Sequence, residues 1–349
     1  MRVVVTGASG NVGTSLLEAL ADEPQVSEVI GLARRIPSLK PPKVRWVAAD
    51  VTSSELTPFF RGAAAAVHLA WAIQPSRDEA TLERVNVFGS QRVFEAVAEA
   101  EVPALVHASS VGAYGPGPKD RRVKESWPVD GIATSFYSRH KSRVEALLDA
   151  FEETAPRTRV VRLRPGLIFK SEAASEIRRL FIGPLLPGVL VRSGLIPVVP
   201  KIERLRFQAV HSRDVGDAYR RAIVAPVRGA FNIAAEPAIG PGELGEFLHA
   251  RPVPFPPRLL RRLADLTWRL RLQPSPPGWI DMALGVPLMD TARAGAELGW
   301  RPARSSLDAL GDLLRGLRHA DGISTPPLDP RSGGPGRLGE LATGVGARR

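Results

Sequence analysis

The chain has 349 residues, 44% of them apolar, enough for one large or two modest domains around a substantial core. Cysteine is absent, which excludes disulfides, thiolate catalysis and cysteine-based metal sites. A net charge of +11 invites a polyanion, yet the arginines are scattered and lack interleaved aromatic residues, so nucleic-acid binding is not expected.

The opening segment MRVVVTGASGNVGTSLLEAL reads as a β-branched strand through Val3 and Val5, a glycine-spaced turn, and an amphipathic helix carrying Leu16, Leu17 and Leu20. This first apolar stretch is broken at Gly7 and lacks a cleavage-site pattern, so no signal peptide is expected and cytoplasmic residence is the expectation. Gly7, Gly10 and Gly13 follow the pattern T-G-x-x-G-x-x-G. A dinucleotide diphosphate needs unpaired N–H groups at a helix start and no Cβ in its way. Gly7 is expected to make the tight turn, Gly10 to admit the pyrophosphate, and Gly13 to let the helix lie close on the sheet. Ser9, Asn11 and Val12 complete the expected cofactor-binding turn.

Apolar runs then recur at Val29 to Leu32, Val44 to Ala48, Ala64 to Leu69, Ala104 to Ser109 and Arg159 to Leu163, with helices expected at Val12 to Ala21, Thr81 to Ala100 and Ser135 to Glu153. Such alternation predicts right-handed crossovers and an α/β fold, a Rossmann-type doubly wound parallel sheet. After Pro165 proline and glycine become frequent, so a smaller substrate domain is expected over about 166–209 and 236–318. Residues 1–165 and about 210–235 form the nucleotide domain, with a helix at His211 to Val224 and a strand at Ala230 to Ala234. Phe181 to Pro200 is strongly apolar, but its prolines and Arg192 argue against a membrane span and for a pocket wall. Leucines at helical spacing over Arg258 to Leu272, with arginines on other faces, read as a helix packed inward, a membrane-surface helix being the alternative. Residues 319–349 are expected to be a disordered tail.

Two stretches carry candidate chemistry. In YSRHK, Tyr137 and Lys141 stand one helical turn apart, so both project from one face. An ammonium beside a phenol favours the phenolate and is expected to lower its pKa. Upstream, ALVHASSVGAYG is an apolar strand ending at Ser109 and Ser110, and strand carboxyl ends in a parallel sheet face the ligand crevice.

These stretches fall in an ordered series: TGASGNVG, AADV around Asp50, VHLAW around His68, NVFGSQRVFEA around Asn86, HASSVGAYG, YSRHK, RLRPGLIF, AVHSRDVGDA, GAFNIA and AGAELGWRPARSSLDAL. In that order the chain resembles an extended short-chain dehydrogenase/reductase of the NAD-dependent epimerase/dehydratase type, over roughly residues 1 to 318. The resemblance implies Tyr137 as acid/base, Lys141 as its activator and ribose ligand, and Ser110 as the substrate-oxygen donor, with Ser109 as fallback. Ser110 is preferred because the family's hydroxyl precedes the tyrosine of the YG turn, here Tyr114, by four places. The resemblance also implies cofactor contacts from Asp50, Val51, Leu69, Ala70, Pro165 and Leu167, and a structural or relay role for Asn86. A homodimer through the Asn86 and Tyr137 helices is a further family expectation. No metal is expected.

One departure bears on the cofactor. Where NAD-preferring members place an acid after the second strand, GLARR presents Ala33, Arg34 and Arg35, which would pair with a 2′-phosphate; NADP is the preferred cofactor and NAD the alternative. The resemblance implies hydride transfer at a carbinol or carbonyl carbon of a small-molecule substrate, as an oxidoreductase or an epimerase. A nucleotide-sugar epimerase is the narrower alternative, for which Arg178, Arg179, Arg204 and Arg206 offer charge for a diphosphate. Dehydration is disfavoured because Val111 and Gly112 follow Ser110 where dehydratases carry an acidic pair. A non-catalytic NADP(H) sensor or scaffold is the alternative of another class, and the presence of Ser110, Tyr137 and Lys141 together argues against it.

Overall fold

A computed structural model describes residues 1–74, 76–182 and 197–330. Seven parallel strands form one sheet: β1 (Arg2–Thr6), β2 (Glu28–Ala33), β3 (Val44–Ala48), β4 (Ala65–His68), β5 (Ala104–Ala108), β6 (Arg159–Pro165) and β7 (Gly229–Ile233). Their spatial order is β7-β6-β5-β4-β1-β2-β3, so the chain reverses direction across the sheet between β1 and β4. That is the doubly wound arrangement, and ligands of such sheets bind beyond the strand carboxyl ends at the reversal.

The period-2 alternation of β1 sorts the core into two layers. Val3 and Val5 face Leu16, Leu17 and Leu20 of α1 (Asn11–Ala21), together with Tyr219 and Trp300. Val4 faces the opposite layer with Val93, Val97, Val144, Leu148 and Phe151. Covering both faces explains why the strands are continuous apolar runs. Each fully buried valine or leucine contributes about 1.5–3 kcal/mol relative to exposure.

The helix expected at Thr81 to Ala100 is interrupted. Glu79–Glu83 and Gly89–Glu99 are α-helical, and Arg84–Phe88 between them forms a π-helical turn. The helix α2 (Phe136–Thr154) starts with Ser135, whose side chain accepts from the Ser138 N–H. Outside the main sheet lie three parallel pairs: Leu167–Phe169 with Ala209–His211, Val198–Lys201 with Arg251–Pro254, and Arg122–Val123 with Leu288–Met289.

Two expectations change. Residues 320–330 do not run free: Ser38 bonds to the Ser324 carbonyl, Ser175 to that of Asp321, Arg179 to that of Pro327, and Leu328 is fully buried. The remainder of the expected tail lies outside the described residues, as does most of the apolar Phe181 to Pro200 stretch. The inward-packed reading of the leucine helix is reversed. In α3 (Pro257–Arg269) no residue is buried, and Leu259, Leu263 and Leu266 are exposed along with Leu270 and Leu272 just beyond. No helix among the described residues is long and apolar enough to cross a membrane.

Candidate active site

The cradle is built at the carboxyl end of β1. Gly7 has φ +71°, a left-handed conformation, and a Cβ there would stand 2.7 Å from the Ala70 nitrogen and 2.8 Å from the Leu69 carbonyl carbon. Only glycine lets the turn after β1 touch the segment after β4. Leu69 and Ala70 in turn donate to the Thr6 carbonyl at 3.0 Å and the Thr6 hydroxyl at 3.4 Å. A Cβ at Gly13 would meet the carbonyl oxygens of Gly7 and Ala8, both at 2.5 Å, so Gly13 is fixed by packing.

Gly10 is different. A Cβ there would meet nothing nearer than the Gly7 oxygen at 3.5 Å, so the protein's own atoms do not demand glycine. Gly10 is also the N-cap of α1 and supplies no side chain to its first turn, which holds Asn11, Val12 and Gly13. A helix start with uncapped N–H groups and cleared space above it suits an anion. Asn11 donates to the Ile168 carbonyl at 3.3 Å while its Oδ1 is buried with no partner. Ser9 and Val12 are half-buried beside it.

Of the other expected cofactor residues, Arg34 and Arg35 are exposed just past the end of β2. Asp50 folds its own loop, accepting from the Thr52 N–H at 2.8 Å and hydroxyl at 2.7 Å, and Val51 is buried against Gly89. Pro165 is buried at the end of β6, whereas Leu167 is exposed. Asn86, fully buried, clasps the backbone after β4: its Oδ1 accepts from the Ala72 N–H at 2.7 Å and its Nδ2 donates to the Ala72 oxygen at 2.8 Å.

The two serines separate cleanly. Ser109 donates to the buried Glu145 at 2.5 Å, within a cluster where Glu145 also receives Arg164 at 2.8 and 2.9 Å and Arg162 at 3.1 Å. Ser110 is not drawn into that cluster; it caps the Gly112 N–H at 3.0 Å, and its hydroxyl acts on the Tyr137 phenol to lower its pKa. A Cβ at Gly112 would lie 2.8 Å from the Tyr137 ring, so that glycine makes room for the phenol beside Ser110.

The electrostatic expectation for Tyr137 is corrected. Burial raises its pKa above the ordinary value near 10, and the bond from Ser110 pulls it back only in part. The Lys141 Nζ donates to the Ala108 carbonyl at 2.7 Å and stands 3.4 Å from the centre of the Trp71 ring and 5.8 Å from that of Tyr137. Burial lowers its own pKa to about 7, with Glu145 opposing the shift. An amine about half neutral at pH 7, its charge aimed at a carbonyl and an indole, gives the phenol little help.

Sequence reasoning missed Trp71 and Trp279 in the aromatic wall around the phenol, whereas Phe181 opens the stretch expected as a pocket wall. The Trp279 ring lies 4.9 Å from that of Tyr137, Trp71 meets it edge-on at 5.9 Å, and Phe181 packs edge-on against Trp279 at 4.9 Å. Both indole N–H groups are buried without a partner. Trp71 had a legible signal, because it follows Leu69 and Ala70 at a strand carboxyl end. Trp279 had none, since the helix α4 (Gly278–Gly285) reaches Tyr137 only through the tertiary fold. Arg204 and Arg206, expected as diphosphate ligands, bond instead to the backbone oxygens of Gly117, Leu284 and Lys119. Among the described residues no group of acids and histidines could hold a metal ion.

The model of the NAD-dependent epimerase/dehydratase family matches residues 3–234. The chain belongs to that family. An uncharacterised protein of Mycobacterium bovis is 27% identical over 94% of this chain and 86% of its own length. The L-arabinose 1-dehydrogenase (NAD(P)(+)) of Haloferax volcanii is 34% identical, over 31% of this chain and 41% of its own. The fold is that of the Thermus thermophilus UDP-glucose 4-epimerase solved with NAD, with a TM-score of 0.67 and 22% identity over 92% of this chain and all of the other. This family member is therefore an NAD-dependent oxidoreductase or epimerase in the broad sense.

Proposed function

We propose that the protein transfers hydride between a nicotinamide and a carbonyl or carbinol carbon, with Tyr137 moving the proton on oxygen. The placing of the Tyr137 ring against Gly112, two residues past Ser110, with Trp71 edge-on to it at 5.9 Å and the Ser110 hydroxyl acting on the phenol, is the observation that carries this reading. A bound nicotinamide supplies or accepts the hydride. The uncapped first turn of α1, with Gly10 and Asn11, would hold its diphosphate, and Leu69 and Ala70 would line it. A phenol kept protonated by burial is suited to donating to an oxygen that gains charge as its carbon is reduced. Ser110 holds that oxygen by a hydrogen bond, and Lys141 shares the site from the next helical turn.

Arg34 and Arg35, exposed just past the end of β2 where NAD-preferring members place an acid, support NADP(H) over NAD(H). The wall of Trp71, Trp279 and Phe181 supports a substrate with a flat or apolar body, its polar atoms met by the two unpartnered indole N–H groups. The fold shared with a UDP-glucose 4-epimerase favours a nucleotide sugar as the second reading. The employment of Arg204 and Arg206 in backbone bonds counts against it.

The test is a screen of ketones, alcohols and nucleotide sugars, read by cofactor absorbance and by product mass. On the substrate it finds, Tyr137→Phe is expected to lower kcat by at least about a hundredfold while NADPH affinity, followed by nicotinamide fluorescence, stays within about twofold. Undiminished turnover in that variant refutes the assignment of Tyr137, and tighter binding of NADH than NADPH refutes that of the arginines.

A further inference from the structure

The most unusual surface of this protein is α3. At 3.6 residues per turn, Leu259, Leu263, Leu266 and Leu270 fall within about 60° of one another, and that stripe points outward. Leu266 is 52% and Leu270 60% exposed, and Leu272, just beyond the helix end, is exposed as well. The inner face of α3 is the weaker one: Leu260, Ala264, Thr267 and Trp268 are only half-buried. Specific contacts nevertheless hold the helix in place. Arg261 pairs with Asp281 of α4 at 2.8 Å, and the Arg77 guanidinium lies 4.4 Å from the centre of the Trp268 ring. The leucines are thus presented by an anchored element. A contiguous exposed leucine stripe of this kind marks an interaction surface.

The charges around the stripe select its partner. Between residues 257 and 272 stand five arginines and a single acid, Asp265, which pairs with Arg269 at 2.9 Å. Arg258, Arg262 and Arg269 project from the band beside the leucines, and Arg271 follows the helix end. The chain as a whole carries +11. Long cationic side chains bordering an exposed leucine stripe are the arrangement that lies in a lipid headgroup layer, leucines inward and guanidinium groups among phosphates. At 13 residues, roughly 20 Å, the helix is too short to span a bilayer but long enough to lie in its surface.

We propose that α3 docks the protein peripherally on an anionic lipid surface, with Leu259, Leu263, Leu266 and Leu270 inserted and Arg258, Arg262, Arg269 and Arg271 on the phosphates. Because α4 packs on α3 and carries Trp279 onto Tyr137, the docked surface lies one helix away from the aromatic wall.

The purified full-length chain is to be sedimented with vesicles of phosphatidylcholine alone and of phosphatidylcholine with phosphatidylglycerol. The wild type is expected to bind the anionic vesicles at least about tenfold more tightly than the neutral ones, with most of that gain lost at about 0.5 M salt. Leu263→Glu with Leu266→Glu is expected to weaken anionic binding at least about tenfold. Arg262→Glu with Arg269→Glu should weaken it roughly fivefold or more per arginine. Thermal melting and NADPH titration verify that each variant is folded; should the glutamate pair not fold, Leu266→Ser with Leu270→Ser replaces it. Failure of the wild type to bind anionic vesicles overturns the proposal. So does undiminished binding by the leucine variants, which would mean non-specific charge attraction. A wild-type oligomer that dissociates in the leucine variants, without vesicle binding, overturns it in favour of a second copy of the chain.

Discussion

Replacing Lys141 with methionine is expected to change the pH dependence of stability in a calculable way. Lys141 is 3% exposed, and burial brings its pKa to about 7. In the unfolded chain the same amine titrates near 10.4, about 3.4 units higher. Below pH 10.4 the unfolded state therefore holds a proton that the folded state gives up, and folding is penalised increasingly as pH falls towards 7. Integrating that difference gives a penalty of about 4 kcal/mol at pH 7 and under about 1 kcal/mol at pH 10, a swing of about 3.5 kcal/mol. The indole of Trp71, 3.4 Å from the amine, favours the charged form by up to about 2 kcal/mol and reduces the swing to about 2 kcal/mol at the lower limit. Methionine has no proton to lose. The stability of Lys141→Met relative to wild type should therefore be highest near pH 7 and fall by about 2 to 3.5 kcal/mol by pH 10. Loss of the bond to the Ala108 carbonyl shifts the whole difference by about 1 kcal/mol without changing its slope. With an unfolding entropy of about 2.1 cal/mol/K per residue, the swing amounts to about 3 to 5 °C in relative Tm for a chain of this length. Melting both proteins by circular dichroism at unit intervals from pH 7 to 10 measures it. A difference that stays constant within about 1 kcal/mol refutes the picture of a desolvated, partly neutral lysine.

Two further contrasts follow from the cradle and the serines. Gly13→Ala forces a methyl onto two carbonyl oxygens 2.5 Å away and should lower stability by about 2 kcal/mol or more, whereas Gly10→Ala should melt within about 1 kcal/mol of wild type yet lose at least about tenfold in NADPH affinity. Equal NADPH binding by Gly10→Ala and wild type would remove Gly10 from the cofactor site. Ser110→Ala should lower kcat by about a hundredfold with a stability cost near 1 kcal/mol, while Ser109→Ala takes a donor from buried Glu145, costs about 1 to 3 kcal/mol, and leaves kcat within about threefold. The reverse pattern in kcat would transfer the substrate-oxygen role to Ser109.

The sheet was legible in the sequence because its strands are buried on both faces and so appear as short unbroken apolar runs between turn residues. The cradle was legible because backbone geometry demands glycine at Gly7 and Gly13. The pairing of Ser110 rather than Ser109 with Tyr137 could be assigned by motif spacing, but its physical reason, the capture of Ser109 by Glu145, depends on Arg162 and Arg164 from a neighbouring strand. The state of the phenol was misjudged for a related reason. Helical spacing places Tyr137 and Lys141 on one face, but desolvation and the direction of the amine are decided by Ala108 and Trp71, which no local pattern reveals. The leucine stripe of α3 was found by periodicity, which reports that a helix has an apolar face and not which way that face points.

The π-helical turn at Arg84–Phe88 has a consequence for how this protein can change over evolutionary time. One surplus residue in a helical ladder advances everything after it by about 100° around the axis. The π turn itself carries Asn86 to grip Ala72, and the half beyond Gly89 is phased to bury Val93 and Val97. Deleting a residue to regularise the helix would align one half only by rotating the other out of place. Substitutions can be accepted singly along this segment, but its length is locked, because the core and the approach to Trp71 are geared together through a single step in phase.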